Sequence, residues 1–114
     1  SVFDSGFLLG DGVWEGIRFH KGKFLFLDEH LERLFWGASK IDMDIGKTIE
    51  EIKSILSQTV EKNKMDTGVH VRLIVSRGIK STPYQDFVSP SLMCLMGSRK
   101  SPSVWVTPMP RVIP

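Results

Sequence analysis

Residues 8–18 read LLGDGVWEGIR, three glycines in a short span with a tryptophan, a glutamate and an arginine between them. A dinucleotide-binding loop requires G-x-G-x-x-G between a strand and a helix, because the helix N-terminus holds the phosphate. Here Gly10-x-Gly12 is followed by Gly16, one residue too late. The next residues, IRFHKGKFLFL, read as strand and hairpin rather than helix. The stretch is therefore read as a strand. In strand alternation Val13, Glu15, Ile17 and Phe19 share one face, and Trp14, Gly16, Arg18 and His20 the other. A glycine between two large side chains leaves a recess on the sheet. A flat aromatic beside a cationic fork suits an organic acid. The plainer reading is that Arg18 and His20 face water while Trp14 covers a sheet edge.

Working outward, HKGK (20–23) is a turn and FLFL (24–27) a second strand, giving a hairpin. Asp28 is placed to cap a helix, in which Leu31, Leu34, Phe35, Ala38 and Ile41 recur at helical spacing. Glu29, Arg33, Trp36 and Lys40 fall on the opposite side of that helix, where a tryptophan is unexpected. Arg33 there is placed to fork onto a phosphate or carboxylate, or to pair with Glu29 one turn away. Thr48 and Glu51 form a T-x-x-E capping box for a second helix with its stripe at Ile49, Ile52, Ile55, Leu56 and Val60. NKMDTG (63–68) ends it with turn chemistry, and VHVRLIVS (69–76) alternates as a strand with Arg72 on the His70 face. RGIKSTPYQDF (77–87) is a loop. SLMCLMG and SVWVTP are short apolar runs able to form further strands, as is SVF at the start. This order predicts an α+β fold, a largely antiparallel sheet with two helices packed on one face. Residues 1–114 form one small domain, and the proline-rich PMPRVIP reads as a connection to something larger.

Composition excludes several classes. A charge of +2, from 15 Lys+Arg against 13 Asp+Glu, makes no case for nucleic acid or membrane partners. Apolar runs fall well short of the roughly 20 residues of a membrane helix. Cys94, the single cysteine, sits among apolar residues and reads as a buried thiol. The three histidines are scattered, so no metal site is expected. A reducing, cytoplasmic setting fits best.

GDGVWEGIR (10–18), FLFLDEHLERLFWGASKI (24–41) and VHVRLIVSRG (69–78) together resemble the N-terminal domain of the class IV aminotransferases. These are the fold-type IV pyridoxal-phosphate enzymes, which include branched-chain aminotransferases, D-amino-acid aminotransferase and aminodeoxychorismate lyase. The resemblance runs from about Asp4 to about Gly78. It implies a pyridoxal 5'-phosphate cofactor whose phosphate meets Arg33, and a substrate wall containing Trp14, Gly16, Arg18 and Arg72. It implies that Arg72 meets the distal carboxylate of glutamate, as in branched-chain-type members. The Tyr, Arg and His that hold the substrate carboxylate in the D-amino-acid enzyme are matched by Trp14, Thr82 and Tyr84, so that trap is not reproduced. Leu9 stands where the branched-chain enzymes usually carry a tyrosine.

The resemblance further implies that the Schiff-base lysine and the glutamate facing the pyridine nitrogen lie in a C-terminal domain beyond Pro114. Lys21, Lys23 and Lys40 lie in turn or solvated-helix contexts and match no such lysine. No catalytic residue is therefore expected in this chain, and no transaminase activity from it alone. The expected partners are an amino acid and a 2-oxo acid, the C-terminal domain, and a second subunit in a homodimer. Two alternatives stand beside this expectation: a lyase of the same family that eliminates pyruvate, and a cofactor-free α+β interaction module using Trp14 and Trp36.

Overall fold

The structure, a computed structural model, describes residues 3–78 in full and residues 91–98 and 101–105 as backbone strands. The strand β1 (Gly12–His20) alternates to produce two unlike faces: Glu15, Ile17 and Phe19 are buried, Trp14 and Arg18 exposed. Lys21 and Gly22 both have positive φ, 50° and 75°, the geometry that matches a two-residue turn to strand twist. The turn leads into β2 (Lys23–Phe24), paired as Phe19↔Phe24 and His20↔Lys23. The Phe19 and Phe24 rings stand 4.7 Å apart and tilted by 60°.

The expected strand over 24–27 is cut short. Phe26 takes a left-handed φ of 53° and turns the chain into α2 (Leu27–Lys40). The N-cap position is therefore Phe26, with no side-chain cap, rather than Asp28. Asp28 sits in the first helical turn, where a carboxylate complements the helix dipole. It also reaches Lys53 Nζ at 2.7 Å, on the next helix. That helix, α3 (Ile49–Lys62), begins with the expected capping box. Thr48 Oγ1 accepts from Glu51 N at 3.2 Å, and Glu51 Oε2 accepts from Thr48 N at 2.7 Å.

After α3 comes β3 (Val69–Ser76), antiparallel to β1 from Gly12↔Ser76 to Phe19↔Val69. The two late apolar runs are strands, β4 (Ser91–Ser98) and β5 (Ser101–Trp105). Among the described residues the strands form one antiparallel sheet in the order β2-β1-β3-β4-β5. Residues 79–90 and 106–114 lie outside the described residues, and with them most of the expected 77–87 loop, Thr82, Tyr84 and the proline-rich end. The side chain of Cys94 lies outside them as well.

The sequence pattern does not foresee α1 (Ser5–Leu9); residues 1–2 of the SVF run read as possible strand lie outside the described residues. Asp4 caps it by accepting from Gly6 N at 2.8 Å, and accepts at 3.0 Å from Ser76 Oγ at the end of β3. Gly10, at φ 65°, closes it in the left-handed conformation that glycine adopts without strain. The opening glycines thus divide their work: Gly10 ends a helix, and Gly12 starts the strand.

One apolar core joins Ile17 and Phe19 of β1, Leu31, Leu34 and Ala38 of α2, Ile52, Leu56 and Val60 of α3, and Val69, Val71, Leu73 and Val75 of β3. Both helices cover the same face of the sheet, as predicted. Each fully buried Leu or Ile contributes about 1.5–3 kcal/mol. The arrangement leaves two features on β1. Its opposite face is uncovered at Trp14 and Arg18, and its edge from Gly12 to Ile17 carries no strand partner among the described residues.

Candidate functional site

Glu15 is an acid on the core face of β1, 4% exposed. A buried carboxylate is costly unless paired and hydrogen-bonded, and α2 supplies its partners. His30 and Arg33, three residues apart, project from the same helix face over β1. Arg33 Nε donates to Glu15 Oε1 at 2.7 Å and Arg33 Nη2 to Oε2 at 2.6 Å, a two-pronged fork. His30 Nδ1 lies 2.7 Å from Oε2. An ionised carboxylate only accepts, so Nδ1 carries the proton in that contact. The 3.4 Å between Arg33 Nη2 and His30 Nδ1 then brings two donors together on one oxygen.

The hydrogen bonds from Arg33 hold the Glu15 carboxyl below the usual glutamate range; burial opposes them and His30 reinforces them. Glu15 in turn raises the Arg33 pKa and keeps the guanidinium charged. Two thirds of the Arg33 side chain remains exposed. Its Nη1 is uncommitted among the described residues, so one edge of the guanidinium is held inward and the other faces outward. The pairing with Glu29 that helical spacing allowed is not formed. Arg33 bends across to the strand instead, because Glu15 is the buried charge that needs it. Trp36, on the far face of α2, is 63% exposed with Lys40 Nζ 5.3 Å from its ring centroid.

The second cluster lies on the other side of the sheet. The β1–β3 register sets Trp14 opposite Ile74, Gly16 opposite Arg72 and Arg18 opposite His70. Arg72 stacks on Trp14, its guanidinium carbon 4.3 Å from the ring centroid. This contact answers how Arg72 is accommodated on that face. The recess expected over Gly16 is not empty. A Cβ at Gly16 would stand 3.1 Å from His70 Cε1 and 3.9 Å from Trp14, so glycine lets the His70 ring lie across the strand beside Trp14. The structure thus gathers Trp14, Gly16, Arg18 and Arg72 on one face, with His70 beside Arg72 as alternation places it. Arg33 stands on the opposite face. The two clusters share the segment Trp14-Glu15-Gly16, on opposite faces of β1. Lys21, Lys23 and Lys40 are exposed.

The family model for amino-transferase class IV matches residues 12–112, a span containing both clusters. The chain belongs to the class IV aminotransferase family. Over 82 residues it is 45% identical to branched-chain-amino-acid aminotransferase-like protein 1 of Arabidopsis thaliana, covering 72% of this chain and 15% of that protein. It is 41% identical over 80 residues to D-alanine aminotransferase of Listeria monocytogenes serotype 4b, covering 70% of this chain and 27% of that enzyme. The fold superposes on the branched-chain amino acid aminotransferase from Escherichia coli. That match has a TM-score of 0.76 at 19% identity, over 86% of this chain and 35% of that one. This class IV chain therefore spans about a quarter of the length of the D-alanine aminotransferase it matches. Among its described residues no helix is long and apolar enough to cross a membrane.

Proposed function

We propose that the complete protein is a pyridoxal-phosphate-dependent aminotransferase that moves an amino group between an amino acid and a 2-oxo acid. This domain supplies the phosphate arginine, Arg33, and one wall of the substrate pocket, Trp14, Gly16, Arg18 and Arg72. A C-terminal domain supplies the Schiff-base lysine. The observation that carries this reading is the outward edge of Arg33, held in place by a buried carboxylate. A charged fork with its outer N–H groups free fits a phosphate monoester, which binds a guanidinium edge through two oxygens. The donor set fits the phosphate and nothing else of the cofactor, since no lysine among the described residues is placed to hold it covalently.

When bound, pyridoxal phosphate supplies an electron sink for the bond broken at the amino acid's Cα. The residues of this chain bind and orient. Arg33 fixes the phosphate end, so that the ring of the cofactor extends from a defined point. On the other face the stacked pair Trp14–Arg72 offers an apolar plane next to a cation, with Arg18 and His70 beside it. Such a surface suits a substrate with an apolar or carboxylate-bearing side chain. Arg72 favours the L-amino-acid side of the family and meets the distal carboxylate of a dicarboxylic partner. Exposed Phe7, Leu8, Leu9, Phe26 and Trp36 support covering by the C-terminal domain or by a second subunit in a homodimer. A cytoplasmic setting accords with a chain that carries a single cysteine.

The test is an amino-transfer assay on the complete protein, pairing L- and D-amino donors with mono- and dicarboxylic 2-oxo acids. Transfer from an L-donor is expected, with Arg72→Ala raising KM for the dicarboxylic acceptor more than for the monocarboxylic one. Absence of transfer with every pair contradicts the reading.

A further inference from the structure

We infer that Glu15 is a positioning residue for anion recognition, a buried carboxylate that aims Arg33. The inference rests on Arg33 as the phosphate residue and adds what makes that residue competent. Arg33 projects from the exposed side of α2, two thirds of its side chain in water. A long exposed arginine samples many rotamers and loses that freedom on binding. Here the rotamers are fixed in advance. Glu15 takes Nε and one N–H of Nη2 at 2.7 and 2.6 Å, which uses the inner edge and leaves the outer edge, Nη1 and the second N–H of Nη2, turned outward. Glu15 is itself fixed. It is 4% exposed, it sits on the core face of β1 opposite Leu73 of β3, and His30 Nδ1 grips Oε2 at 2.7 Å. A mobile cation is thus tied to the packed core face of the sheet through a single carboxylate.

Charge counting and positioning predict opposite signs. Glu15 neutralises Arg33 formally and repels any phosphate beyond it, so by charge alone its removal should tighten anion binding. By positioning, its removal frees the guanidinium and weakens binding. The geometry favours positioning, because the fork fixes the plane and direction of the guanidinium as well as its place.

The test uses the complete protein and two ligands, pyridoxal 5'-phosphate and pyridoxal, which lacks the phosphate. Dissociation constants are read by absorbance and fluorescence titration for the wild type, Glu15→Gln, Glu15→Asp and Arg33→Ala. Glu15→Gln removes the charge while keeping the shape; Glu15→Asp keeps the charge and withdraws it by one methylene, and it carries the test if the Gln variant does not fold. Both are expected to weaken pyridoxal-phosphate binding roughly tenfold, as losing an orienting partner typically does. Pyridoxal binding should stay within about twofold of wild type, because the unphosphorylated ligand makes no use of the fork. A purely structural role would lower both affinities together and would overturn the inference, as would unchanged or tighter phosphate-dependent binding in Glu15→Gln. Arg33→Ala separates the two levels. If it abolishes the preference for the phosphorylated ligand while the Glu15 variants leave it intact, Glu15 alone loses its role. If Arg33→Ala also leaves the preference intact, the phosphate assignment of Arg33 fails as well.

Discussion

Two glycines on β1, Gly12 and Gly16, should respond to alanine in opposite directions. A Cβ at Gly12 would lie 2.6 Å from the carbonyl oxygen of Val75 and 3.3 Å from Ser76 Cα, both backbone atoms of the paired strand. Neither yields without opening the β1–β3 ladder, so Gly12→Ala is expected to cost about 1–3 kcal/mol, the usual range for overpacking. A Cβ at Gly16 would meet the ring of His70 at 3.1 Å, and His70 is exposed and free to rotate. Removing glycine from a strand interior recovers about 0.5–1 kcal/mol of backbone entropy. Gly16→Ala should therefore be neutral or slightly stabilising. The two variants should differ by about 1–4 kcal/mol. With a urea slope of about 1–3 kcal/mol/M, their midpoints should separate by roughly 1 M. Urea unfolding followed by tryptophan fluorescence reports this directly, because Trp14 lies between the two sites. A Gly12→Ala midpoint equal to or above that of Gly16→Ala would refute the packing argument. Gly16→Ala should still weaken amino-acid binding, since the displaced imidazole crowds Trp14.

Ile17→Ala, at a fully buried position in the core, should destabilise by about 2–5 kcal/mol in the same denaturation assay. Thr48→Ala removes one half of the capping box and should cost about 1 kcal/mol, while Thr48→Ser should retain most of it. Acid sensitivity should follow Glu15. Its carboxyl titrates below the ordinary 4.5 when folded, so the unfolded chain binds a proton first. The stabilisation is complete above that pH and fades as pH falls toward the folded value. Stability curves of wild type and Glu15→Gln should converge as pH is lowered through this window; parallel curves would show that Glu15 carries no linked proton.

The parts of the fold legible in the sequence are those encoded locally. Alternation in 12–20 and 69–76 and the T-x-x-E cap at 48–51 each depend on residues close in the chain, and the structure has all of them. Elements that depend on distant partners are harder to see. The short α1 is secured by Asp4 reaching Ser76 at the far end of β3. β2 ends early because Phe26 adopts a left-handed turn for which its sequence gives no signal. At the site, alternation correctly puts Trp14, Gly16 and Arg18 on one face, but the register that brings Arg72 onto Trp14 and His70 over Gly16 is a property of the paired strands. Arg33 stands out by its helix face and by family resemblance, but helical spacing suggests the wrong partner. The clue to the right one is Glu15 itself: an acid on an otherwise apolar strand face must find a cation, and the helix covering that face carries Arg33.

The most direct test of the account is the affinity of the complete protein for pyridoxal 5'-phosphate relative to pyridoxal, before and after Arg33→Ala. Strong preference for the phosphorylated ligand in the wild type, lost in the variant with pyridoxal binding unchanged, is the predicted result. A preference that survives the substitution would place the phosphate elsewhere and contradict the central claim.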